Sequence, residues 1–132
     1  MAIKCLITKS QVEAHDKGAR FIANALRQGG MEVVYTRFVS PDEIVQTALQ
    51  EDVDTIGISM LCGGYSYVAS RVMELLREKK LDIPVIFGGQ IPDDEKEKVI
   101  AAGVEKVFPQ GTTAAEVVDF IKSIVGDKSQ IR

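Results

Sequence analysis

Five short β-branched runs alternate with five amphipathic helical stretches along a chain of 132 residues, and this predicts an α/β domain built on one parallel sheet. The strand-like runs, 3–8, 32–35, 55–60, 84–87 and 104–108, are short and mostly uniformly apolar. A strand with one wet face alternates polar and apolar side chains, whereas a strand covered by helices on both faces does not. With 45% hydrophobic residues, the chain carries enough apolar surface for a single core without disulfides or a structural metal.

The helices are placed by their stripes and caps. The first carries Ala19, Ile22, Ala23 and Leu26 on one face and ends at Gly29-Gly30, which suits a left-handed C-cap. The second opens Ser40-Pro41-Asp42-Glu43: an N-cap, a proline where a missing N–H costs nothing, and a capping-box glutamate. Its expected buried stripe is Ile44, Val45, Ala48 and Leu49. The third buries Val68, Val72, Leu75 and Leu76, and the fourth follows Pro92-Asp93 and closes at Gly103. The fifth begins with another capping box, Thr113-Ala114-Ala115-Glu116, and buries Val117, Ile121 and Val125. Five such units joined by right-handed crossovers give a doubly wound sheet, and at this length the flavodoxin-like order 2-1-3-4-5 is expected. One domain covers 1–126, with 127–132 expected as a frayed tail.

Composition removes several function classes. Sixteen Lys and Arg against nineteen Asp and Glu give a net charge of -3, unlike the clustered basic charge of a nucleic-acid surface. Trp is absent and aromatics are 6%, which disfavours a base-stacking platform. The apolar runs are far too short to span a membrane. Residues 1–6 enter a strand pattern directly and lack a signal-peptide architecture, so a cytoplasmic location is expected. Two cysteines, Cys5 and Cys62, make no disulfide framework. Cys62 reads as a small buried residue or as a redox-sensitive thiol.

Ligands of doubly wound sheets bind beyond the carboxyl ends of the strands, where strand order reverses. That directs attention to four loops, 9–18, 61–66, 88–93 and 109–113. The first has no glycine before Gly18, which excludes a P-loop and a dinucleotide fingerprint. It also lacks the Ser/Thr/Gly-rich character of a flavin-phosphate loop. The third strand ends Gly57-Ile58-Ser59-Met60-Leu61, without the aspartate of a phospho-acceptor domain. What the first loop offers is the single histidine, His15, between Glu13 and Asp16. An imidazole ligates transition metals, and a nearby carboxylate fixes its tautomer. A solvated histidine at a helix start is the plain alternative. One histidine does not make a zinc site, but a metal that brings its own equatorial ligands needs only one axial donor. Taken singly, Ser59 is equally a strand-end hydroxyl, Leu61 ordinary core, and Gly88-Gly89 a turn.

Taken in order, Glu13-Ala14-His15-Asp16-Lys17-Gly18, Ser59-Met60-Leu61 and Gly88-Gly89 resemble the Asp-x-His-x-x-Gly, Ser-x-Leu, Gly-Gly signature of cobalamin (B12)-binding domains. About 40 residues separate the first two parts and about 26 the last two, as in that family. The phrases His15-Asp16-Lys17-Gly18-Ala19, Gly88-Gly89-Gln90-Ile91-Pro92 and Gly111-Thr112 are most similar to the small subunit or C-terminal domain of the methylmalonyl-CoA mutase group.

The resemblance implies roles by position. His15 is the lower axial ligand to cobalt, replacing the cofactor's own dimethylbenzimidazole, and Glu13 is the partner of its imidazole. The displaced nucleotide tail enters the cleft between strands one and three. Ser59 hydrogen-bonds the benzimidazole nitrogen and Leu61 packs on its ring. Gly88 and Gly89 allow a close approach that a Cβ would block. Phe108, Gly111 and Thr112 close the far side, and Gly18 lets helix one start tightly beneath the corrin. Asp16 caps that helix or substitutes as the histidine's partner. Glu13 stands where the family has aspartate, and Gln11 and Ala14 stand where related sequences have glycine, so a stiffer, differently bent loop is expected.

The activity so implied is that of an adenosylcobalamin-dependent acyl-CoA mutase. In that family, cobalt–carbon homolysis, hydrogen abstraction by the adenosyl radical and a 1,2-shift rearrange the carbon skeleton. No catalytic residue is expected in this subunit. The acyl-CoA sits in a (β/α)8 barrel on a larger partner subunit, without which this chain is inactive. The competing expectations are a corrinoid carrier for methyl transfer, which usually has a helical module ahead of the histidine motif, and a non-enzymatic cobalamin-binding sensor. Only 14 residues precede His15 here.

Overall fold

A computed structural model describes residues 2–11, 17–61 and 63–131, the last six as backbone alone. Five parallel strands, β1 (Lys4–Ser10), β2 (Glu32–Phe38), β3 (Thr55–Ser59), β4 (Val85–Gly88) and β5 (Lys106–Phe108), form one sheet in the order β2-β1-β3-β4-β5. Helices α2 (Pro41–Glu51), α3 (Tyr65–Glu78) and α4 (Asp93–Ala101) cover one face, and α1 (Lys17–Gln28) and α5 (Ala114–Ile131) cover the other. This is the flavodoxin-like order expected from the alternation of patterns. The backbone of 127–131, expected as part of a frayed tail, continues α5.

Local chemistry explains the element ends. At the end of α1, Gly30 takes φ +90° and the Met31 N–H reaches back to the Leu26 carbonyl at 3.0 Å, so orphan carbonyls of the last turn are satisfied. Pro41 opens α2, and the Ser40 N–H donates to Glu43 Oε1 at 3.2 Å. At the start of α5 the Glu116 N–H donates to Thr113 Oγ1 at 3.2 Å.

Three strand boundaries, each by two or three residues, and one stripe differ from expectation. β1 and β2 run past 8 and 35 because their ladder continues to Ser10 opposite Phe38. Thr8 and Thr36 do not end it: they face each other across the pair, and the Thr36 hydroxyl donates to that of Thr8 at 2.9 Å. β5 starts only at Lys106, after a buried Val104. In α2, Ile44, Val45 and Ala48 are buried but Leu49 is 50% exposed. At 100° per residue Leu49 lies about 90° from the centre of the stripe formed by the other three, beyond the reach of the sheet.

The sheet separates two cores. Leu6, Ile56, Ile58, Val85, Phe87 and Val107 pack beneath α2, α3 and α4. Cys5, Ile7, Ile86 and Phe108 pack with Ala23, Leu26, Val117, Ile121 and Val125 of α1 and α5.

Candidate functional site

Strand order reverses between β1 and β3, so the connections after them run to opposite faces and leave a crevice at their carboxyl ends. A rung of residues crosses the sheet there: Lys9 pairs with Ser59, Ser59 with Gly88, and Gly88 with Phe108. The rung below is Ile7, Gly57, Ile86 and Lys106. On the face beneath α1 and α5, Gly57, Ser59 and Gly88 present nothing larger than a hydroxymethyl group. The space so left is a cavity of about 400 Å³, walled by Ile7, Ile22, Ile86, Phe108 and Val117 and bordered by the exposed Lys17, Phe21 and Gln110. Its volume is within the range of small-molecule sites, which are mostly apolar with few polar groups.

Eight residues singled out from the sequence line this cavity: Gly18, Ser59, Leu61, Gly88, Gly89, Phe108, Gly111 and Thr112. Glu13, His15 and Asp16, with the expected cobalt ligand among them, lie outside the described residues, as does Cys62. The Ser59 side chain is half-buried, with no hydrogen-bond partner among the described residues, so its hydroxyl is open to a ligand. The Thr112 hydroxyl is engaged, donating to the Pro109 carbonyl at 2.6 Å and fixing the turn after β5. Phe108 is held edge-on against Phe120, with centroids 5.6 Å apart and the rings at 82°. The Lys106 ammonium lies 5.4 and 5.3 Å from the two ring centroids and braces that wall.

The glycine pair divides its work. A Cβ built on Gly88 meets no atom within 4 Å, because it projects into open space. A Cβ on Gly89 would sit 2.1 Å from the Met60 carbonyl oxygen, and its backbone has φ +132°. Gly88 is therefore the position where a side chain would occupy the cavity. Gly89 is glycine because the loops after β3 and β4 touch there, a reason different from the close ligand approach expected of both.

Two residues of the slot region were not singled out from the sequence. Gly57 forms the floor, and a glycine amid an apolar strand is itself a signal of close approach. A Cβ there would come 2.8 Å from Ile7 Cδ1, the movable end of a side chain. Lys9, expected in a loop, belongs to β1 and is only 2% exposed, on the rung that contains Ser59. No local pattern announces a buried lysine. Tyr65 and Tyr67, in the first turn of α3, separate into a buried and a 66% exposed side chain. Farther down the same face, burial first and the charge of Asp54 second push the Cys5 thiol up to about 12, so Cys5 is an inert packing residue. Among the described residues no cluster of three His, Cys, Asp or Glu side chains is placed to hold a metal. No helix of the described residues is long and apolar enough to cross a membrane.

A doubly wound parallel sheet with an apolar slot at its switch point is the architecture of an α/β domain with a candidate small-molecule site between sheet and helices. The chain belongs to the B12-binding domain family, whose family model matches residues 3–119. It is 38% identical over 125 residues to the 2-hydroxyisobutanoyl-CoA mutase small subunit of Aquincola tertiaricarbonis, covering 93% of this chain and 92% of that one. It is 38% identical over 130 residues to the pivalyl-CoA mutase small subunit of Xanthobacter autotrophicus, covering 97% and 86%. Against the methylmalonyl-CoA mutase of Cereibacter sphaeroides it is 37% identical over 125 residues, 90% of this chain, but spans only 18% of that longer protein. In fold it is similar to a cobalamin-binding protein of Desulfitobacterium hafniense, at TM-score 0.76 and 20% identity over 92% of this chain and 58% of that one. It is likewise similar to the NarL receiver domain of Mycobacterium tuberculosis, at TM-score 0.74 and 13% identity over 95% and 97%. These two likenesses are of fold alone.

Proposed function

We propose that this chain is the cobalamin-binding small subunit of an adenosylcobalamin-dependent acyl-CoA mutase and works with a larger subunit that binds the acyl-CoA. The observation that carries the reading is the end-to-end match to mutase small subunits in a chain whose switch-point slot gathers eight expected contact residues. The residues fit the group: the slot is apolar, Gly57 and Gly88 keep it open, and the Ser59 hydroxyl, without a partner among the described residues, is free to bond a ring nitrogen. Adenosylcobalamin, when bound, supplies the cobalt–carbon bond whose homolysis starts the carbon-skeleton rearrangement.

The chain's own part is to bind and orient. His15 would give an imidazole nitrogen to the cobalt, and Glu13 would accept from the other nitrogen, keeping the ring in the ligating tautomer. Asp16 would cap the start of α1 or stand in as the histidine's partner, and Gly18, without a side chain, would leave room for the corrin. Ser59 would donate to the free nitrogen of the detached base, and Leu61 and Phe108 would pack on its ring. Gly88 leaves room for the base, Gly89 lets the rim close on it, and Gly111 and Thr112 form the far end. Residues 1–126 make up this cofactor-binding unit, and the cysteine usage supports a place in the cytoplasm.

Mixing the purified chain with cobalamin is expected to give the absorbance of a histidine-ligated, base-off corrinoid, and His15→Ala to abolish it. An unchanged spectrum for His15→Ala would remove His15 from the axial position. Mutase turnover is expected only when the large subunit is added.

A further inference from the structure

Gly88 and Gly89 form one rim of the slot, and the segment 88–90 is held at three points. The Met60 N–H donates to the Gly88 carbonyl at 3.2 Å, and the Gly89 N–H donates to the Phe108 carbonyl at 3.4 Å. Both are backbone bonds between neighbouring strand ends. The third comes from a side chain: the Tyr65 hydroxyl donates to the Gln90 carbonyl at 3.1 Å. Tyr65 opens α3 directly after Gly63 and Gly64, both in the left-handed region at φ +78° and +76°, and is only 5% exposed.

Tyr65 does not line the slot. Its hydroxyl instead fixes where the loop after β4 lies relative to the end of β3 and the loop after it, from which Ser59 and Leu61 face the cavity. The contact at Gly89, where no Cβ fits against Met60, leaves this rim little tolerance in position. Nothing else in the described residues ties 88–90 to α3 by a side chain; the next bond along, Ser66 Oγ to Glu95 Oε1 at 3.3 Å, joins α3 to α4 instead.

We propose that Tyr65 is a positioning residue for the nucleotide tail of the corrinoid, setting through Gln90 the width of the slot between Leu61 and Gly88. The proposal rests on the cobalamin reading above and adds a residue that touches neither cobalt nor tail. Removing the hydroxyl frees the Gln90 carbonyl to water, the rim shifts, and the tail loses fit while the corrin above is undisturbed.

The test compares wild type, Tyr65→Phe and Ser66→Ala in titrations with cobalamin and with cobinamide, which lacks the nucleotide tail. Affinities are read at a temperature where melting curves show every variant folded. Tyr65→Phe is expected to weaken cobalamin about five- to ten-fold, the worth of one hydrogen bond, and to leave cobinamide unchanged. Ser66→Ala, which breaks a neighbouring bond away from the slot, is expected to change neither. Wild-type cobalamin affinity in Tyr65→Phe, or equal weakening of both ligands, overturns the positioning role. A wild type that holds cobalamin no better than cobinamide overturns the slot reading itself, and the positioning role with it.

Discussion

Beneath α2, α3 and α4 the sheet is filled, with Ile56 and Ile58 of β3 beside Val85 and Phe87 of β4, all at most 2% exposed. Beneath α1 and α5 the alternate positions of the same two strands are Gly57, Ser59, Ile86 and Gly88, and a cavity remains. Successive side chains of a strand point to opposite faces, so one stretch of chain builds a solid core on one side and an opening on the other. Each side chain withheld from the open face forgoes about 1.5–3 kcal/mol of burial. The filled face offsets that loss, and the difference teaches how a small domain keeps a slot open without collapsing into it.

Breaking the filled face is expected to have the largest effect. Ile56→Ala removes a side chain with no exposure and should cost about 2–5 kcal/mol, read from the midpoint of urea unfolding. A loss below 1 kcal/mol would mean that this face is not the stabilising one. Filling the open face should do the opposite. Gly88→Val places atoms where none lie within 4 Å, so stability should hold while cobalamin affinity falls at least about a hundredfold, or 2.7 kcal/mol. Gly89→Val sharpens the contrast: its Cβ meets the Met60 carbonyl, so it should lower the melting temperature before any ligand is added. Wild-type melting in Gly89→Val would show that the contact between the two loops is not tight.

An effect that vanishes at neutral pH is expected where the open face closes, at Cys5. Its thiol pKa is raised from 9.0 to about 12, so the folded state keeps a proton that the unfolded chain loses. The stability this contributes is complete below pH 9 and drains away as pH rises toward 12, by about 1.4 kcal/mol per unit. Unfolding titrations of wild type and Cys5→Ala across that window should diverge by this slope, and parallel curves would show that the thiol is not sequestered.

Much of this molecule is written locally. Pro41, Thr113 and Gly29-Gly30 act on backbone groups within a few residues of themselves, so the element ends near them are readable from sequence alone. The uniformly apolar runs declare strands covered on both sides, and with the crossover rule that sets the strand order. The slot residues Ser59, Leu61, Gly88, Phe108 and Thr112 were legible through the family signature they resemble, while topology gave only the strand-end loops in or beside which they fall. Leu49 was misread because an apolar residue at the edge of a stripe is buried only if something stands opposite it.

The sequence by itself therefore determined the elements, their order and the end of the sheet where a ligand enters, since each follows from periodicity, capping and chain handedness. Only the tertiary structure decided that Gly88 faces the cavity while Gly89 faces Met60, that Gly57 is its floor, that Lys9 is buried, and that Tyr65 holds Gln90. Those facts depend on which atoms from distant parts of the chain come within a few ångströms of one another, and no local pattern carries that distance.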